Sequence, residues 1–136
     1  MSAMKNAKQG ATALFLIACW FAPVFAHAAE SNDGPIHHVV IAWLKKHGDE
    51  ADRKKVLEAC KGLEAIPGVV SVVGGAVLPS KRSVVDSSFD IGLVITVEDN
   101  KALSSYVKHP IHQKVLKETL KPLLERYVVY DLNAAP

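Results

Sequence analysis

"IHHVVIAWL", residues 36–44, decides the fold. β-Branched and aromatic residues dominate it and the breaker pair Gly34-Pro35 precedes it, so it reads as a strand. A strand with one face on a core and the other in water alternates apolar with polar residues. "VVIAW" within this one is apolar at both parities, and so are "VVSVV" at 69–73 and "YVVY" at 127–130. A sheet built from such strands needs cover on both faces.

The rest of the chain supplies one layer of cover. Asp49 to Ile66 carries Val56, Leu57, Cys60 and Leu63 on one helical stripe, with Lys54, Glu58 and Lys61 on another face, and Pro67-Gly68 ends it. Val69 to Leu78 reads as a second strand, in which Gly74-Gly75 points to a bulge or a close backbone approach. A polar loop follows from Pro79 to Ser88, with Lys81 and Arg82 exposed. Phe89 to Val97 alternates cleanly and is a third strand. Asp99 or Asn100 can cap a helix through Val107, and Pro110 suits the first position of another helical segment running towards Leu124, with Pro122 in its last turn. Arg126 to Asp131 closes as a fourth strand, leaving Asn133 to Pro136 as a tail expected to be disordered. The order β-α-β-β-α-β predicts an α+β, ferredoxin-like fold, one antiparallel sheet with helices on one face. The cheapest cover for the other face is the sheet of a second copy across a two-fold axis, so a homodimer, a dimeric α+β barrel, is expected.

The ends bound the rest. Lys5 and Lys8 precede an apolar run from Ala11 to Ala26 that closes in Ala26-His27-Ala28, the pattern of a secretory signal peptide over 1–28 with cleavage after Ala28. The run is too short and wrongly flanked for a spanning helix, so no membrane span is expected in the mature chain. Leu16-Ile17-Ala18-Cys19 also resembles a lipoprotein box, although Trp20 to Ala28 would then make a greasy tether. An exported, periplasmic protein is the expectation. The remaining 108 residues of the 136 make one domain. Without Lys5 and Lys8 the 16 basic residues fall to 14, equal to the 14 acidic ones, which gives no footing for nucleic acid. Cys60 is the sole cysteine beyond the signal, and its place in the helical stripe marks a buried, inert thiol.

Chemistry concentrates in "YVKHPIHQKV", residues 106–115. Tyr106 and His109 are three apart, His112 follows in the next helical turn, and alternation turns one of His37 and His38 towards the helices. An enolising or cyclising site needs a base with a pKa near working pH and a polar group for an oxyanion, both in an apolar pocket; imidazole and phenol supply them. Each residue has a structural alternative: His109 beside Pro110 can cap backbone N–H groups, and Tyr106 can be a core aromatic. His109-x-x-His112 with His37 or His38 could offer three imidazoles to a metal. The proline inside the pair, the absence of neighbouring carboxylates and the lack of a cysteine ligand speak against that. No glycine-rich phosphate loop and no serine elbow is present.

Five stretches together resemble a known family: "IHHVVIAWL", "IPGVVSVVGG", "FDIGLVITVED", "ALSSYVKHPIHQKV" and "LLERYVVYDL". Over residues 36–132 the chain resembles the stress-responsive A/B barrel, or Dabb, domain of the dimeric α+β barrel superfamily. The resemblance implies a ferredoxin-like fold, paired chains whose sheets form a barrel, and no organic cofactor. A plant polyketide cyclase of that family performs cofactor-free acid–base chemistry, and its catalytic histidine and tyrosine match His112 and Tyr106, with a strand histidine matching His38. His109 is no part of that match; from its place beside Pro110 it is expected as a ligand-binding residue that mainly positions the helix start. The export signal and the His37-His38 pair depart from the cyclase. Two functions follow as expectations: an exported homodimer that binds a small hydrophobic or aromatic molecule or protects under stress, and a cofactor-free lyase, cyclase or isomerase.

Overall fold

The computed structural model describes residues 34–134. The expected signal segment over 1–28, its expected cleavage site and Cys19 lie outside the described residues. The elements run β1 (Ile36–Leu44), α1 (Glu50–Lys61) with a 3-10 turn Gly62–Ala65, β2 (Val69–Ala76), β3 (Ile91–Val97), α2 (Asn100–Lys108), α3 (Pro110–Val115), a π-helical turn Leu116–Leu120, a last turn Lys121–Leu123, and β4 (Leu124–Asn133). The four strands form one antiparallel sheet in the order β2-β3-β1-β4. This is the ferredoxin-like arrangement that the alternation of elements predicts. Among the described residues no helix is long and apolar enough to cross a membrane.

Parity explains the core. Ile36, His38, Val40, Ala42 and Leu44 of β1 are buried with Ile91, Leu93, Ile95 and Val97 of β3, and the helices contribute Val56, Cys60, Leu63 and Tyr106. Gly74 lies where a Cβ would stand 2.5 Å from Leu93 Cδ2 of β3 and 3.0 Å from Leu57 Cδ2 of α1, so a glycine there lets both side chains pack close against β2. The register shift in the β2–β3 pair falls earlier, between Val69 and Ser71. Several local readings change: β2 ends at Ala76 and not at Leu78, β3 begins at Ile91 and not at Phe89, and the first helix ends as α-helix at Lys61 before its 3-10 turn. Asn133 is not tail but pairs with Ile36, and Ala134 N donates to Pro35 O at 2.9 Å. β4 begins at Leu124, two residues before the Arg126 expected from sequence.

The corner after β1 is tied by Asp90, at 1% exposure the most deeply buried carboxylate described. It accepts from Leu44 N (2.9 Å), Gly48 N (2.7 Å) and His47 Nδ1 (2.9 Å). Desolvation works to raise its pKa, but these donors outweigh it and hold the carboxyl below its ordinary range. Gly48, at φ +80°, makes the turn that brings its N–H round. Asp90 thus fixes the end of β1 against the start of β3.

The opposite sheet face carries Val39, Ile41 and Trp43 of β1, Val94 of β3 and, in register with them, Val73, Val128, Tyr130 and Leu132. No helix of the described residues lies over it. Val73, Tyr130 and Leu132 are 64%, 55% and 53% exposed.

Candidate active site

His38, Tyr106 and His112 reach one place from three elements. β1 parity turns His38 towards the helices, where it is 8% exposed, whereas His37 lies on the other face with Nδ1 3.0 Å from Thr96 Oγ1. Asp99 caps α2 by accepting from Ala102 N at 2.7 Å, which sets the phase that buries Tyr106 two turns on. His109 and Pro110 then break the helix. His109 Nδ1 accepts from Ile111 N at 3.3 Å, capping α3, with Pro110 in the first turn where no N–H is missed. The restart swings His112 against Tyr106: their ring centroids are 4.6 Å apart, and the His38 ring stands edge-on to Tyr106 at 5.6 Å.

The three rings line a cavity of about 200 Å³. Its other walls are Tyr127, Cys60 and otherwise aliphatic side chains, including Val40, Leu93 and Ile95 from the sheet, Val56 and Leu63 from the α1 segment, and Leu116 and Leu120 from the π-helical turn. An engineered cavity of about 150 Å³ accepts benzene, so this one has room for a substituted benzene. His109 is not among the lining residues. The three-imidazole arrangement does not assemble, because His37 is on the opposite face and His109 is occupied as a cap. Among the described residues no group of three or more His, Cys, Asp or Glu is arranged to hold a metal ion.

Hydrogen bonds assign the tautomers. His112 Nδ1 stands 3.1 Å from Val107 O, which can only accept, so Nδ1 carries the hydrogen and Nε2 keeps its lone pair. Desolvation, helped by the neighbouring His38, holds the His112 pKa below its ordinary value despite the Val107 bond, leaving the ring neutral at neutral pH. His38 Nδ1 donates to Asp131 Oδ1 at 2.7 Å, which fixes the second ring in the same sense. Burial, with Cys60 nearby, pushes the Tyr106 phenol far up, so it stays a hydrogen-bond donor. Burial also raises the Cys60 thiol to about 11 and keeps it inert. The arrangement therefore offers the lone-pair nitrogen of His112, a second imidazole held by Asp131 and the Tyr106 O–H within a largely apolar enclosure. Asp131 was missed as a site residue from sequence. Its signal was the pairing parity of β1 and β4, which places it opposite His38, and that register is set only by the fold.

The family model for the stress responsive A/B barrel domain matches residues 36–134. The chain belongs to this family. Among curated A/B barrel proteins it is similar to a stress-response A/B barrel domain-containing protein of Arabidopsis thaliana, 29% identical over 96 residues, which are 71% of this chain and 35% of that protein. The chain thus spans about a third of that relative's length. Among solved A/B barrel structures, a dabb family protein with a ferredoxin-like fold from Mesorhizobium loti is 25% identical with a TM-score of 0.62, covering 76% of this chain and 99% of that one. Two further structures share the fold. A dimeric ferredoxin-like protein of unknown function from Thermobifida fusca is 20% identical, with a TM-score of 0.62 over 75% of this chain and 92% of that one. Hydroxynitrile lyase from Passiflora edulis is 17% identical, with a TM-score of 0.64 over 76% and 98%.

Proposed function

We propose that this A/B barrel chain is an exported homodimer whose cavity binds a small, neutral, largely apolar carbonyl compound and moves a proton on it without a cofactor. The convergence of His38, Tyr106 and His112 on one apolar cavity carries this reading. In the proposed step His112 Nε2 takes the proton next to the carbonyl, and Tyr106 O–H donates to the oxygen on which charge develops. His38, held by Asp131, returns or relays the proton. A hydroxynitrile lyase and dimeric proteins among the structures of this fold are in keeping with acid–base chemistry in a paired barrel. The apolar outer face supports the dimer, since monomers rarely expose so continuous an apolar patch. The pattern at 1–28 supports export.

One observation favours a second reading, binding or stress protection without turnover. No lysine or arginine lines the cavity, so an enolate would be met by neutral donors alone. Exchange of the methyl protons of acetophenone into D2O, followed by NMR, separates the two. Acceleration over buffer that falls by about 100-fold or more in His112→Gln supports proton transfer, within the usual range of general-base contributions. Saturation transfer to acetophenone without exchange supports binding alone, and neither signal refutes the site.

A further inference from the structure

We infer that a second copy of this chain completes the cavity's mouth, with the segment between β2 and β3 of the partner subunit closing over Tyr127 and Val129. The inference rests on the homodimer proposed above and adds to it a residue-level contribution from the partner. Tyr127 and Val129 line the cavity, and parity with Ala42 and Val40 puts them on the helix-facing side of β4, yet they are 49% and 38% exposed. The helices stop short of this edge strand. Packing of the two outer sheet faces would cover Tyr130 and Leu132 but not these two, because they point the other way. The mouth therefore needs something that reaches round the edge.

Strand order and register say what reaches it. β2 and β4 are the two edges of the sheet. A two-fold axis perpendicular to the strands would lay β2 on β2 and β4 on β4, and would bring β4 of the partner subunit, not its β2–β3 segment, to the mouth. An axis parallel to the strands lays β2 of the partner subunit over β4 and covers both edges at once, closing a barrel without free edges. Such an axis preserves level along the strands. Ala76, the last residue of β2, pairs with Ile91, Ile91 with Ala42, and Ala42 with Tyr127, so all four share one level. The chain leaving the partner's β2 therefore enters beside Tyr127.

Chemistry matches at that level. The departing segment carries Leu78 and Val84, 83% and 86% exposed, with exposed Lys81 and Arg82 between them. Facing it, the mouth presents Tyr127, Val129 and the exposed carboxylate of Glu125, the extra residue of the bulge where the β1–β4 register shifts. Two aliphatic side chains and a pair of cations meet an apolar rim with an acid. In this assembly the ligand is sealed in by the partner, so site occupancy and pairing strengthen each other.

Mixed-chain cross-linking tests the contact without any ligand. Leu78→Cys chains mixed with Tyr127→Cys chains of different mass should form a disulfide-linked heterodimer on mild oxidation, while neither variant alone should link to itself. Native Cys60 is buried and does not compete. Self-linking of Leu78→Cys, or no link in the mixture, overturns the inference. Lys81→Glu/Arg82→Glu should weaken acetophenone binding by about tenfold, with Glu125→Lys restoring most of it. Unchanged binding in the charge-reversed chain alongside normal binding in the parent overturns the inference and leaves the proposed site standing. A Leu78→Cys and Tyr127→Cys mixture that cross-links as expected, alongside a parent chain that ignores acetophenone, refutes the proposed site and supports the inference.

Discussion

His109 and His112 stand three residues apart, and the structure separates their work sharply enough to be measured. In His109→Ala the N–H of Ile111 loses its acceptor at the start of α3. Loss of an N-cap costs about 1 kcal/mol, which for a domain of roughly 100 residues lowers Tm by about 4–8 °C. The 3.3 Å length of the bond puts the expectation at the lower end of that range. In His112→Ala the bond to Val107 O disappears too, but Gln113 Nε2 still donates to that carbonyl at 2.6 Å, so nothing buried is orphaned. A polar ring also leaves an apolar enclosure, which offsets part of the lost packing. The expected change in Tm is less than about 4 °C. The assay is thermal unfolding of both variants and the parent with and without acetophenone. His109→Ala should start lower and keep its ligand-induced rise; His112→Ala should start near the parent and lose the rise. Equal destabilisation with the ligand response intact in both would refute the assignment and reduce the motif to a helix start.

Three other outcomes are expected. Val94 lies on the helix-free face, so Val94→Asp should convert a two-chain species in sedimentation to a single chain that retains its helical circular dichroism; an unchanged dimer would refute pairing through this face. The His112 pKa is depressed on folding, so the unfolded chain binds the extra proton as pH falls below about 6.5, and stability should decline with falling pH through that window. Urea unfolding should show part of that slope vanish in His112→Gln, and an identical slope would refute the buried neutral ring. The Cys60 thiol should react with a disulfide reagent only as fast as the chain unfolds, and rapid labelling of the native protein would refute its burial.

The fold was legible because periodicity and breakers agree along the chain. β1 matches its predicted bounds residue for residue, and Pro67-Gly68 and His109-Pro110 end helices where their backbone limits require. What sequence left out are features set by register. Alternation makes Asp90 a solvent-facing neighbour of Phe89, and it is buried because the turn at Gly48 folds two N–H groups onto it. Asp131 reads as the end of a strand, and only the β1–β4 register puts it against His38. Periodicity reports which face a residue occupies within its own element, and the depth of a residue depends on which other element arrives there. The π-helical turn Leu116–Leu120 shows the same limit, since its apolar spacing fits an ordinary helix.

These hidden features share a physical cause with the site. A sheet of one domain this small has helices enough for one layer, and here that layer leaves β4 thinly covered on the helix side as well as bare on the other. Thin cover is what leaves a cavity over the sheet in place of a filled core. The polar groups that face the cavity are tolerable because each is either bonded at its far end, as His112 is to Val107 and His38 to Asp131, or is a phenol that burial keeps protonated. Filling the space should then stabilise the fold and erase the site together. Cys60→Leu adds aliphatic volume inside the cavity without replacing any of its three rings, and it should raise Tm while abolishing the acetophenone response. A variant that gains stability and still binds acetophenone with parental affinity would show that the cavity is a packing defect and that the ligand goes elsewhere.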